Sequence, residues 1–147
     1  MYVKRIAEQR LKGILEGPKV GIVLGARQVG KTTLVEHVLA GRNAVVLNFD
    51  VEIDKSRFRA AAALPPAEGL KILGSPDVLV IDEAQRLPDA PRIVKGWYDA
   101  RMPARILLLG SSSLSLLDQA AESLTGRNEK LMLPPFVFGE SLRSQEW

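Results

Sequence analysis

Apolar residues along this chain follow two alternating rhythms, one helical and one continuous. Val3, Ile6, Ala7, Leu11, Ile14 and Leu15 recur at helical spacing, with Arg5, Glu8, Gln9 and Lys12 between them. This predicts an amphipathic helix over 3–16, ended by Gly17-Pro18. VGIVLG at 20–25 is apolar throughout and too short for a helix, so it predicts a strand buried on both faces. Leu34, Val35, Val38 and Leu39 place a second helix over 31–40, with Gly41 as its stop. AVVLNF (44–49), DVLVID (77–82), ARILLLG (104–110) and KLMLP (130–134) predict four further strands. Ile93, Val94, Trp97 and Tyr98 mark a helix over 90–100, and 113–124 reads as another. The stretch 51–76 is mixed. Ala60 to Ala63 and Leu70 to Leu73 favour helix, while Pro65-Pro66 and Ser75-Pro76 interrupt it.

Strands alternating with helices predict an α/β protein with a five-stranded parallel sheet in a three-layer α/β/α arrangement. The composition agrees. The chain has 147 residues, the size of one domain, with 46% apolar and 25% charged residues, which excludes disorder. There is no cysteine and a single histidine, His37, on the polar side of its helix. Disulfides, thiolate chemistry, a His-based metal site and a Ser-His-Asp triad are therefore excluded. The net charge of +3 is compatible with a nucleic-acid partner without requiring one. The first residues are charged throughout, and the apolar runs are strand-sized. The expectation is a cytoplasmic protein with no membrane association, its first helix packed on its own core.

The sharpest motif is Gly25-Ala26-Arg27-Gln28-Val29-Gly30-Lys31-Thr32, which fits G-x-x-x-x-G-K-[ST] between a predicted strand and a predicted helix. In such a loop the backbone N–H groups turn inward around a phosphate, and the helix N-terminus adds its partial positive charge. Gly25 to Thr33 are thus the candidate nucleotide-binding segment. Lys31 would reach the β- and γ-phosphates, and the Thr32 hydroxyl would coordinate Mg²⁺. Arg27 and Gln28 at the apex are read as solvated, with contact to the nucleotide as the alternative.

The second motif is DVLVIDEAQ at 77–85. Its apolar run delivers Asp82 and Glu83 to the carboxyl end of the sheet, where ligands bind in open α/β folds. Asp82 would hold Mg²⁺, and Glu83 would act as general base toward water. Alone, an acid after a strand is as readily a helix cap. Joined to the upstream loop, the pair points to phosphate chemistry.

GARQVGKTTL, VLVIDEAQRLPD, ILLLGSSS and SLTGRNEKLMLPPFVFGE, in this order, resemble the ATPase core of a prokaryotic AAA-superfamily group. The resemblance covers nearly the whole chain. It implies a P-loop NTPase fold with strand order 5-1-4-3-2 and a polar sensor after the fourth strand, a place matched by Ser111 and Ser112. The sensor role is favoured for Ser111, and a turn that caps the next helix is the alternative, favoured for Ser112. It also implies that Arg127 stabilises the charge developing in phosphoryl transfer, in cis or from a neighbouring copy, against the alternative of a structural ion pair. If Arg127 acts in trans, the protein is a homo-oligomer. The expected organisation is an N-terminal helix (1–16), a core (17–135) and the start of a further C-terminal region (136–147). Family members carry a longer C-terminal part there, with a lid over the nucleotide.

The expected activity is Mg²⁺-dependent hydrolysis of ATP to ADP and phosphate. A nucleotide-dependent binding module with little turnover is the alternative. A small-molecule kinase fits less well, because the Asp82-Glu83 pair supplies a base for water. Nucleic acid or protein partners are left unspecified. Arg57, Arg59, Arg101 and Arg105 could line one basic face, but no aromatic platform lies among them.

Overall fold

The computed structural model describes residues 2–25, 31–111 and 123–133. Its elements run α1 (Tyr2–Glu16), β1 (Val20–Leu24), α2 (Lys31–Val38), β2 (Ala44–Asn48), α3 (Glu52–Ala62), α4 (Pro66–Ile72), β3 (Val78–Asp82), a 3-10 turn (Ala84–Arg86), α5 (Ala90–Asp99), β4 (Arg105–Gly110) and β5 (Asn128–Met132). The five strands form one sheet in the order β2-β3-β4-β1-β5, all parallel. This is the expected order read from the other edge. The helix expected over 113–124 lies almost wholly outside the described residues, as do Pro134 to Trp147.

The central strands β1 and β3 are buried at every position, and β4 at every position after Arg105. Successive side chains point to opposite faces, so each strand feeds two cores. One face takes Ile22, Leu24, Leu79, Ile81, Ile106 and Leu108, covered by Phe58 of α3, Leu70 of α4 and Val94 and Trp97 of α5. The other takes Val23, Val78, Val80, Leu107 and Leu109, covered by Leu11, Ile14 and Leu15 of α1 and by Leu34, Val35 and Val38 of α2. Edge-to-face contacts of Phe58 with Phe49 and Trp97, at 5.1 and 5.2 Å between ring centroids, join the end of β2 to α3 and α5. Gly21 is where α1 crosses β1. A Cβ there would lie 2.5 Å from Leu107 Cδ2 and 2.8 Å from Ile14 Cγ2. No helix among the described residues is long and apolar enough to cross a membrane.

Two details differ from the pattern-based expectation. First, the mixed stretch 51–76 holds two complete helices. Pro66 occupies the start of α4, where its missing N–H has no intrahelical partner to lose, so the proline pair opens a helix as well as closing one. Second, β5 begins at Asn128, two residues before the apolar run. It is an edge strand on β1, and Glu129 and Lys130 stay exposed while Leu131 is buried. An edge strand needs only one apolar side, so its polar start carries no hydrophobic signal. His37 stays 62% exposed, with Nε2 3.5 Å from Glu8 Oε1 between α2 and α1.

α3 and α4 pack closely because Gly69 lacks a side chain: a Cβ there would lie 2.5 Å from the Ala61 carbonyl oxygen. Gly69→Ala is therefore expected to destabilise the fold by about 1–3 kcal/mol, although alanine is the better helix former. Gly96 on α5 has open space around it, so Gly96→Ala should stabilise by up to about 1 kcal/mol. Urea denaturation midpoints check both. A stabilised Gly69→Ala protein would contradict the packing.

Candidate functional site

The site forms where β1, β3 and β4 end. Leu24 and Gly110 are register partners, and the Gly25 N–H donates to the Gly110 carbonyl at 3.2 Å. The start of the glycine-rich loop is thereby pinned to β4. α2 begins at Lys31, which is 4% exposed, and its Nζ donates to the Gly25 carbonyl at 2.8 Å. A buried ammonium must be hydrogen-bonded, and here the Gly25 carbonyl at the end of β1 accepts one of its protons. Ala26, Arg27, Gln28, Val29 and Gly30, the rest of the predicted nucleotide-binding loop, lie outside the described residues.

Thr32 Oγ1 donates to Asp82 Oδ2 at 3.0 Å, joining residues 50 positions apart. Asp82 is the last residue of β3 and is 9% exposed. Its other oxygen, Oδ1, accepts the Glu83 N–H at 2.9 Å. That bond accompanies a sharp change of direction: Glu83 has φ 53° and ψ 46°, in the left-handed region. Glu83 Oε1 in turn accepts a hydrogen bond from Gln85 Nε2 at 2.7 Å. Thr33 is exposed on the first turn of α2, and Ser111, partly buried, follows β4 directly at the same end of the sheet. Ser112 is outside the described residues.

The donor set suits Mg²⁺. A hydroxyl and a carboxylate are hard oxygen ligands, and Mg²⁺ commonly takes one or two carboxylates and completes its shell with water and phosphate oxygens. Among the described residues no group of three or more His, Cys, Asp and Glu could hold a metal. Thr32 and Asp82 would hold the ion with the remaining positions filled by water or phosphate oxygens.

Arg127 stands apart from this group. Its carbonyl accepts the Val20 N–H at 2.9 Å, at the amino end of β1. The length of the strand, roughly 16 Å at about 3.3 Å per residue, separates it from Gly25. Its Nε donates to Asp99 Oδ1 at 2.8 Å and its guanidinium to the Thr125 carbonyl at 3.0 Å. A cleft of about 590 Å³, lined among others by Lys19, Tyr98, Asp99, Arg101 and Arg105, also opens at that amino end, away from Lys31. Arg57 and Arg59 are exposed on α3, which packs on β2, and are not in that lining. Sequence reasoning passes over Gln85, whose only signal is its place in Asp82-Glu83-Ala84-Gln85.

A parallel α/β/α sheet with a glycine-loop lysine beside a strand-end acid defines a P-loop ATPase domain. The chain belongs to the AAA domain family, whose model matches residues 17–142. It is 40% identical over 131 residues to the uncharacterized protein Rv2008c of Mycobacterium tuberculosis, and equally to the uncharacterized protein Mb2031c of Mycobacterium bovis. Those matches cover 88% of this chain but 28% of each relative. Among solved structures, the Walker-type ATPase paby2304 of Pyrococcus abyssi is similar at a TM-score of 0.64 and 20% identity, over 95% of this chain and 57% of that one. Bacteroides Pif1 bound to ssDNA is similar at a TM-score of 0.53 and 14% identity, over 87% and 41%. A chain of Drosophila ORC bound to DNA is similar at a TM-score of 0.51 and 14% identity, over 89% of each. At these identities the solved structures establish the fold alone.

Thr32→Val removes the hydroxyl that donates to Asp82 Oδ2 and should lower unfolding stability by about 1–2 kcal/mol. Thr32→Ser keeps the donor and should stay within about 0.5 kcal/mol of wild type. Equal urea midpoints for the valine and serine proteins would show that the bond carries no net stability.

Proposed function

We propose that this chain binds ATP with Mg²⁺ and hydrolyses it to ADP and phosphate. The observation that carries the reading is the Thr32–Asp82 hydrogen bond beside the buried Lys31. It joins the two motifs at one place, the carboxyl end of the sheet. In this reading Gly25 to Thr33 wrap the phosphates, and Lys31 exchanges its Gly25 carbonyl partner for β- and γ-phosphate oxygens. Thr32 and Asp82 hold Mg²⁺, which neutralises phosphate charge when bound. Glu83 takes a proton from water as the water oxygen bonds to the γ-phosphorus and the bond to the bridging oxygen of ADP breaks. Ser111 offers a hydroxyl to the γ-phosphate or to the water.

Arg127 is assigned to a neighbouring copy, because in its own chain it is held by Asp99 at the amino end of the sheet. A switch with little turnover is the second reading. The same observation favours it, since Arg127 of a single chain then lies away from the γ-phosphate.

Lys31→Ala is expected to abolish ATP binding, measured by calorimetry with Mg²⁺. Glu83→Gln should keep binding and lose turnover by about 10²–10⁴-fold. Normal hydrolysis by Glu83→Gln would remove the general-base assignment. Wild-type phosphate release should rise more steeply than linearly with protein concentration, and Arg127→Ala should flatten that rise. A strictly linear dependence that Arg127→Ala leaves unchanged would sink the assignment in trans.

A further inference from the structure

Glu83 leaves β3 in the left-handed region, and the chain then enters the 3-10 turn Ala84–Arg86, closed by the Arg86 N–H on the Glu83 carbonyl at 3.0 Å. This local path brings the Gln85 side chain back over Glu83, where Nε2 meets Oε1 at 2.7 Å. The other end of the same amide is stranded. Gln85 Oε1 is buried and has no hydrogen-bond partner among the described residues.

Turning the amide over would give no relief, because its oxygen would then face the carboxylate oxygen of Glu83. The carboxylate therefore dictates which way the amide lies, and the stranded oxygen is the consequence. A methionine of similar length would remove the stranded acceptor and the bond to Glu83 together, so gain and loss oppose each other. A glutamine kept with one end of its amide stranded and the other on the carboxylate points to work done by its N–H.

We propose that Gln85 is a positioning residue that fixes the plane of the Glu83 carboxylate toward the attacking water. The terminal torsion of a glutamate is broad and roughly two-fold, so a donor held on one oxygen narrows the range of planes the carboxylate adopts. Proton transfer to a positioned base is sensitive to such misalignment. The inference rests on Glu83 being the base, and the experiment separates the two.

Turnover, KM, ATP affinity and melting temperature are measured for the wild type, Gln85→Met, Gln85→Glu and Glu83→Gln. Gln85→Met should lower kcat about tenfold, leave KM and ATP affinity within about twofold, and keep the melting temperature within about 3 °C of wild type. Gln85→Glu should lower kcat at least as much and also lower the melting temperature, because two carboxylates then face each other. If Glu83→Gln is inactive while Gln85→Met turns over at the wild-type kcat, the positioning role is wrong and the base stands. If Gln85→Met melts several degrees below wild type, Gln85 is structural and the proposal falls. Normal turnover by Glu83→Gln, or a wild-type chain that never turns over ATP, overturns both readings.

Discussion

Burial of β1, β3 and β4 on both faces is the constraint on which the rest of this structure depends. With helices against each face, no side chain along the middle of these strands can meet water or a charged ligand. Polar chemistry is pushed to the strand ends. Because the strands are parallel, their carboxyl ends lie on one edge, so Gly25, Asp82 and Ser111 are brought together although they lie far apart in the chain. Ligand sites in open α/β sheets follow from this geometry.

At that edge the groups are held by one another. Lys31 is buried and bonded to the loop carbonyl, Thr32 to Asp82, Asp82 to the Glu83 backbone, and Glu83 to Gln85. The contacts link the first turn of α2 to the turn after β3. Hydrogen bonds to charged groups away from bulk water contribute more than exposed ones, which makes the arrangement specific as well as stable. The amino edge has a different character. There Arg127 and Asp99 pair partly exposed, beside a cleft with Lys19, Arg101 and Arg105 in its wall. One domain thus presents Lys31, Thr32 and Asp82 at one edge of the sheet and arginines at the other.

Much of this is legible in the chain because it is local. Strand β1, helix α2 and strand β3 follow from runs of apolar residues and from glycine and proline punctuation, which report the backbone of the segment that contains them. The glycine loop and the Asp82-Glu83 pair are readable for the same reason, since each depends on spacing within a few residues. The apolar pattern starts β5 two residues late. Asn128, Glu129 and Lys130 pair with β1 through their backbones, and their polar side chains leave no apolar run to mark it.

By itself, the sequence determined the alternation of strands and helices, the three-layer parallel architecture and the two motifs at the strand ends. Each is set by periodicity or by a contiguous motif. Only the tertiary structure decided which of those residues meet. It joined Thr32 to Asp82 across 50 positions, turned Gln85 onto Glu83, and held Arg127 against Asp99 at the far edge. These outcomes depend on strand order and register, which bring distant segments side by side, and on the left-handed turn at Glu83. The physical reason is that a hydrogen bond between remote side chains is fixed by where the sheet places their backbones, and no local pattern carries that placement.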